Sequence, residues 1–214
     1  MNDIATTIRE VKNASVVDGF HFDEEKHLYT KNKTPLRNVT GCITGSGLLD
    51  TTFMTEEGRT RGQHVHTAVA YYVQGDLDYG SVAPWIWPYV DAYKEFRSDL
   101  AIEVIPELCE IAAMHPVWWY GGKWDQIAIR RGRWILIDIK TGNLSPTTAV
   151  QLAAYANLPP LEALDVERYA LRLDPKLTPP YRWKKYDDPT DFQTFLAALT
   201  VTNWKRRHNI REAA

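Results

Sequence analysis

The chain has 214 residues, 44% hydrophobic and 24% charged, with 25 basic and 27 acidic side chains and a formal net charge of −2. That length buries one sizeable core but not two full ones, and the composition excludes a wholly disordered chain. Two cysteines, Cys42 and Cys109, are too few for a disulfide framework, a four-thiolate zinc site or a four-cysteine iron–sulfur cluster. No apolar run approaches the roughly 18 residues of a bilayer-spanning helix. Met1 to Glu10 carries two acids and no apolar stretch of the kind that marks a secretory signal. The expectation is a cytoplasmic, reduced protein with no membrane partner. Residues 1–110 carry a net charge of −7 and residues 111–214 a net of +5. The basic second half agrees with an anionic partner such as nucleic acid, although linear halves need not form spatial patches.

In chain order, Phe20–Tyr29 alternates apolar and polar residues around an acidic turn, the pattern of a hairpin. Thr34-Pro35 and Gly41, Gly45 and Gly47 predict a loop. Thr55, with Glu56 and Glu57 behind it, predicts the N-cap of a first helix running to about Val73 and ended by Gly75-Asp76. A second helix is expected from Pro84 to Leu100, with Trp85, Tyr89, Ala92, Tyr93 and Phe96 at helical spacing. The period then changes. Val104–Ala113, Gln126–Arg130 and Trp134–Lys140 read as strands, the last two joined by the two-residue turn Arg131-Gly132. Ser145-Pro146 opens a helix through Leu158, stopped by Pro159-Pro160. Strands are expected at Arg168–Leu173 and Tyr181–Tyr186, and a closing helix from Asp188-Pro189 to about Arg207. Helices, an antiparallel run, then helix, strands and helix predict a mixed α/β domain spanning the chain around a central sheet.

The chemistry concentrates in Gly122-Lys-Trp-Asp125 and, after twelve intervening residues, Asp138-Ile-Lys140-Thr-Gly142. The run Trp134–Lys140 predicts a buried strand with two charged groups near its end. Strand period is two, so Asp138 and Lys140 share one face and Ile139 takes the other. Buried charges are costly unless they pair, bind metal or work in a cleft. Antiparallel pairing brings Asp125 beside the end of this strand. Two carboxylates near an ammonium suit a hard cation, Mg²⁺ or Mn²⁺, with Lys140 left to orient a water. Taken alone, Asp138-x-Lys140 is more simply an ion pair at a strand end, with Asp125 capping a turn. Gln151 and Tyr155, four apart, share one helix face, which also fits an amphipathic helix packing Leu152, Ala153 and Ala156 inward.

Gly62-x-x-x-His66, Gly122-x-x-Asp125, Asp138-x-Lys140-Thr-Gly and Gln151-x-x-x-Tyr155 stand in the order and spacing of a known family. Together they resemble the RecB-like branch of the PD-(D/E)XK nucleases. The N-terminal hairpin and Thr-Gly loop resemble the superfamily's phage-type exonucleases. The resemblance implies a restriction-endonuclease-like core in one nuclease domain over 1–214. Residues 1–55 would form the N-terminal hairpin and loop, 56–158 the motif-bearing core, and 159–214 the C-terminal strands and helix. It implies Asp125 and Asp138 as metal-ligating carboxylates, the Ile139 carbonyl as a further ligand, Lys140 as the catalytic lysine and His66 as the histidine completing the metal site. Gln151 and Tyr155 would face DNA near the scissile phosphate. The family often adds a glutamate, for which Glu110 fits the spacing and Glu107 is the fallback. On a regular strand only one of them can face the site.

The activity implied is metal-dependent DNA hydrolysis by an exonuclease, in phage or bacterial recombination or repair, with a single-strand annealing protein as the partner such enzymes work with. A structure-selective or single-strand endonuclease is the alternative use of the same residues. A non-catalytic nucleic-acid-binding module of the same fold is the alternative from another class. Oligomeric state stays open. No Gly-x-x-x-x-Gly-Lys-Ser/Thr loop is present, so the chain has no helicase motor. His64 lies two positions from His66, about 200° around the helix, and is expected outside the site. His21, His27, His115 and His208 are expected to be structural. Trp85, Trp87 and Trp134 read as core. Trp118-Trp119-Tyr120 reads first as a hydrophobic layer and second as a base-stacking surface. Lys205-Arg206-Arg207 with Arg211 fits either phosphate binding or the C-terminal end of a helix dipole.

Overall fold

Strand-forming Ile, Val, Leu and Tyr in the second half of the chain generate the framework around which everything else packs. A computed structural model describes residues 3–49 and 55–210. Its elements in chain order are α1 (Ile4–Ser15), β1 (Phe20–Asp23), β2 (Leu28–Lys31), β3 (Thr34–Pro35), β4 (Arg37–Asn38), α2 (Val39–Ser46), α3 (Glu56–Gln74) and α4 (Trp87–Leu100). There follow β5 (Glu103–Val104), a 3₁₀ turn (Pro106–Leu108), β6 (Ile111–His115), β7 (Tyr120–Trp124), β8 (Gln126–Arg130) and β9 (Arg133–Lys140). The chain closes with α5 (Thr147–Ala156), α6 (Pro159–Glu162), β10 (Glu167–Leu173), β11 (Tyr181–Tyr186) and α7 (Asp191–Arg207).

The central sheet has the order β11-β10-β9-β8-β5. It is mixed, since β9 and β10 run parallel while the other neighbours are antiparallel. Period-two alternation sends its apolar residues to two cores. Leu136, Ile127 and Ala170 pack with residues of α2, α5 and α7. Ile135, Ile137, Ile139, Leu171 and Leu173 pack with α3 and α4. The expected α/β class, a central mixed sheet flanked by helices, is what the chain adopts. Two smaller sheets lie beside it, β4-β7-β6 and β1-β2-β3.

The first helix of the expectation starts as its cap residue demands: Thr55 accepts the Gly58 N–H at 3.0 Å, and Gly75 ends α3 in the left-handed conformation at φ 80°. The Arg131-Gly132 turn takes positive φ at both residues, 51° and 73°, the conformation a two-residue hairpin needs despite the unusual arginine. Several expectations are corrected. The loop read at Gly41–Gly47 is α2, because Asn38 caps it through the Gly41 N–H and Gly47 ends it at φ 95°. Helix α1 went unread, although Ile8, Val11 and Ser15 lie on one face. The second helix begins at Trp87, after a turn at 84–86, leaving Trp85 45% exposed rather than in the core. Pro159-Pro160 stops α5 and then opens the short α6. Trp118 and Trp119 are exposed at the β6–β7 turn, and only Tyr120 of that triplet enters the core. Lys205 donates to the Gly45 and Ser46 carbonyls at the end of α2 (2.8 and 3.2 Å), a structural use for part of the basic cluster. Arg211 lies outside the described residues. No helix among them is long and apolar enough to cross a membrane.

The most consequential correction concerns Val104–Ala113, read as one strand. The chain instead leaves the central sheet after β5, makes the 3₁₀ turn and enters the neighbouring sheet as β6. Glu110 sits at the crossing with φ 55°, a conformation that costs a non-glycine residue about 1 kcal/mol or more. On the return path the chain bends at Asp125 between β7 and β8. The two crossings face one another, the Glu110 N–H donating to the Asp125 carbonyl at 2.9 Å.

Candidate metal and catalytic centre

The site forms where this crease meets the end of β9. The last β8–β9 pair is Gln126↔Ile137, so Asp125 stands one residue beyond it, opposite Asp138. With no backbone partner left at that position, the Ile139 N–H donates to Asp125 Oδ2 at 2.6 Å. In an extended strand the N–H and C=O of one residue leave the same edge, so the Ile139 carbonyl also points to the Asp125 side. Helix α3 approaches from the other layer and brings His66 Nδ1 to 3.5 Å from Asp125 Oδ1. His66, Glu110 and Asp125 each offer a ligand atom, and these atoms lie within 4.8 Å of one another. The parity argument over Glu107 and Glu110 does not apply, since neither is on a strand. Glu107 falls in the 3₁₀ turn, exposed.

Asp138 and Lys140 share a face, as strand alternation requires, and their Oδ2 and Nζ are 2.7 Å apart. Asp138 is buried, while the Lys140 side chain keeps 27% exposure. Lys140 also donates to Gln151 Oε1 on α5 (3.1 Å), and Gln151 donates to the Tyr155 hydroxyl (3.1 Å). Gly122 explains how Tyr155 fits. A Cβ there would stand 2.7 Å from the Tyr155 ring and 3.1 Å from Val39. Gly122→Ala should therefore push Tyr155 outward, loosen the Gln151–Lys140 link and cost about 1–3 kcal/mol, read by thermal unfolding. Of the expected DNA-facing pair, Tyr155 is 6% exposed and supports Gln151 more than it meets solvent. His64 is outside the site, edge-on to Trp85 at 5.8 Å.

The electrostatics are those of a site short of positive charge. Burial raises the Glu110 pKa, the Asp125 charge raises it further, and Lys123 does not offset them. Asp138 is likewise raised, by burial first and then Asp125, against the pull of Lys140. Asp125 is lowered: burial opposes this, but His66, Lys140 and the Ile139 N–H together prevail. Burial disfavours charged His66, yet Asp125 holds its pKa above the ordinary imidazole value. Lys140 is raised, burial being outweighed by Asp138 and Asp125. Lys140 is thus an ammonium at neutral pH.

Both His66 and Glu110 must be free of protons to ligate a cation. Their pKa values lie above the ordinary ones, so acidification protonates them early. Divalent-ion affinity should fall as pH drops through these raised values, by up to about tenfold per pH unit for each proton taken up. Calorimetric titration with Mn²⁺ across pH checks this.

The cluster opens into a cleft of about 750 Å³. One wall is the α3 face of Gln63, Thr67, Ala70, Tyr71 and Gln74, and the other is the β1–β2 turn with Glu24, Glu25 and His27. Sequence reasoning missed that turn's part in the cleft, and with it Lys123. The Lys123 amine lies 2.6 Å from Glu110 and 3.1 Å from Glu24. Alternation along Gly122–Asp125 set Lys123 opposite Trp124, the one signal available for it.

No family model and no curated protein matches the chain. Among solved structures, SSO0001 overlaps 72% of this chain and 79% of its own, at 16% identity and a TM-score of 0.35. LHK-Exo, crystallised with dAMP, overlaps 81% of this chain and 93% of its own, at 14% identity and a TM-score of 0.34. Both likenesses are too remote to carry a function across.

Proposed function

We propose that the chain is a Mg²⁺- or Mn²⁺-dependent deoxyribonuclease of the PD-(D/E)XK type, RecB-like branch, one nuclease domain acting on DNA ends. The observation that carries this reading is the meeting of His66, Glu110 and Asp125 within 4.8 Å beside the Asp138–Lys140 pair. An imidazole and two carboxylates are a fitting donor set for Mn²⁺ or Mg²⁺. Asp138 would complete it from the adjacent strand position, and the Ile139 carbonyl would add an oxygen. When bound, the cation supplies Lewis acidity at a phosphate oxygen and lowers the pKa of a water.

The chain's own residues do the rest. Protonated Lys140 has three N–H donors, two of them engaged by Asp138 and Gln151. The third remains to orient an attacking water or to offset charge on the phosphoryl oxygens. Lys140 therefore works as a donor and not as a base. Gln151, braced by Tyr155, keeps the amine aimed. The acidic wall of the cleft repels DNA until the site's charge is compensated, so binding and cleavage should both depend on the cation.

Timed digestion of end-labelled linear duplex and single strands with Mn²⁺ tests the reading, comparing wild type with Asp138→Ala and Lys140→Ala. Loss of cleavage in both variants supports it, and undiminished cleavage in both overturns it. A circular single strand separates the two modes of attack. An exonuclease leaves it intact, whereas an endonuclease opens it.

A further inference from the structure

Lys123 belongs to none of the groups assigned above, and it is the one lysine or arginine among the described residues lining the cleft. Strand alternation turns Tyr120 and Trp124 of β7 into the main core and turns Gly121 and Lys123 toward the N-terminal hairpin. There Gly121 meets the Tyr29 ring, and the Lys123 amine lies 5.9 Å from the Phe22 ring centre. Its two partners differ in kind. Glu110 is 24% exposed and fixed at the crease, whereas Glu24 is 80% exposed on the hairpin turn. The cleft wall also carries the carboxylates Glu24, Glu25, Glu110 and Asp125 and the imidazoles His27 and His66, the latter paired with Asp125. A polyanion entering this cleft thus meets four carboxylates and a single ammonium, and one of the two carboxylates holding that ammonium, Glu24, is exposed and exchangeable.

We propose that Lys123 binds a backbone phosphate of the DNA strand next to the one cleaved, and that Glu24 occupies its place until the strand displaces it. The inference rests on the nuclease reading and adds a binding residue to it. A phosphate oxygen asks of an ammonium what a carboxylate oxygen does, so the exchange conserves the contact. Because Lys123 also touches Glu110, the phosphate it holds lies beside the metal cluster, and Lys123 thereby sets the register of the strand. Glu24 then acts as an internal competitor for DNA.

The test is binding of a labelled single-stranded oligonucleotide, followed by fluorescence anisotropy with Ca²⁺ replacing Mg²⁺ and at several salt concentrations. Glu24→Gln should lower Kd about threefold, the loss of one weak competing ion pair. Glu25→Gln, on the same wall, should give less than half that gain. Lys123→Gln should raise Kd about tenfold and flatten the log–log salt dependence by about 0.7, the mark of one lost phosphate contact on a single strand. In the Lys123→Gln background, Glu24→Gln should change nothing. An unchanged Kd in Glu24→Gln, or an equal gain with and without Lys123, overturns the proposal. Glu24 is exposed enough that its variant will fold even if the Lys123 variant does not, and the comparison with Glu25 then decides. Wild type that neither binds nor cuts DNA in Mn²⁺ would instead defeat the nuclease reading, a result distinct from a binding enzyme indifferent to Glu24.

Discussion

Lys140→Gln should lower kcat for DNA cleavage about a hundred- to a thousandfold while leaving Mn²⁺ affinity within a few-fold of wild type at pH values where Asp138 is ionised. The size follows from removing a single positioned donor aimed at developing charge. The selectivity follows from geometry. Lys140 is tied to Asp138 and Gln151, whereas the three clustered ligand groups come from His66, Glu110 and Asp125. Losing the ammonium also leaves Asp138 buried without its cation, so the carboxyl, already raised, should rise further and stay protonated to higher pH. The pH profile of residual activity should accordingly shift to the alkaline side. Single-turnover digestion paired with Mn²⁺ calorimetry separates the two effects, and a variant that loses Mn²⁺ binding and cleavage together would assign Lys140 to the metal site instead.

Asp125→Asn should abolish the stabilisation that a divalent cation gives the protein. Burial and the neighbouring Asp125 charge disfavour the ionised forms of Glu110 and Asp138. Their raised pKa values mean that stability is lost as pH rises through them. A cation bound to the cluster relieves that repulsion. At a hundred times Kd it adds about 2.7 kcal/mol, or roughly 5–11 °C in Tm for a chain of this size. Removing the cation with a chelator should reverse the gain. Asp125 joins the cluster, holds the Ile139 N–H and supports charged His66. Asparagine keeps an acceptor for Ile139 but removes the charge. His66 should then titrate lower, and cation affinity should fall at least about a hundredfold. The contribution Asp125 makes to metal-free stability has the opposite sign, because its pKa is lowered. That contribution is present at neutral pH and disappears as pH falls through the lowered value. Thermal unfolding of both proteins, with Mn²⁺ and with chelator, checks the prediction, and an equal rise in Tm for wild type and variant would refute it.

How much of this was readable in the residues depends on how local the determinant is. The common face of Asp138 and Lys140 was readable because strand period is two and needs no knowledge of neighbours. The bounds of α3 were readable because Thr55 and Gly75 satisfy and terminate its own backbone. Helix α2 contradicts the loop that Gly41, Gly45 and Gly47 predict, although its Asn38 cap and Gly47 stop are also local signals. Resemblance to the nuclease family singled out His66 and Glu110 by position in the chain. It also implied that they meet Asp125 at a metal site, but not the bend at Glu110 by which the chain brings them together.

Sequence alone therefore determined the strand that carries Asp138 and Lys140, the helices on either side of it, and the types of group available for chemistry. The tertiary structure decided the rest. It bent the chain between two sheets at Glu110 and Asp125, brought those bends face to face, and laid the acidic β1–β2 turn over Lys123. Periodicity records which way a side chain leaves its own backbone. Where a strand abandons one sheet for another depends on which distant surfaces compete to bury it, and that competition is settled only when the whole chain is packed.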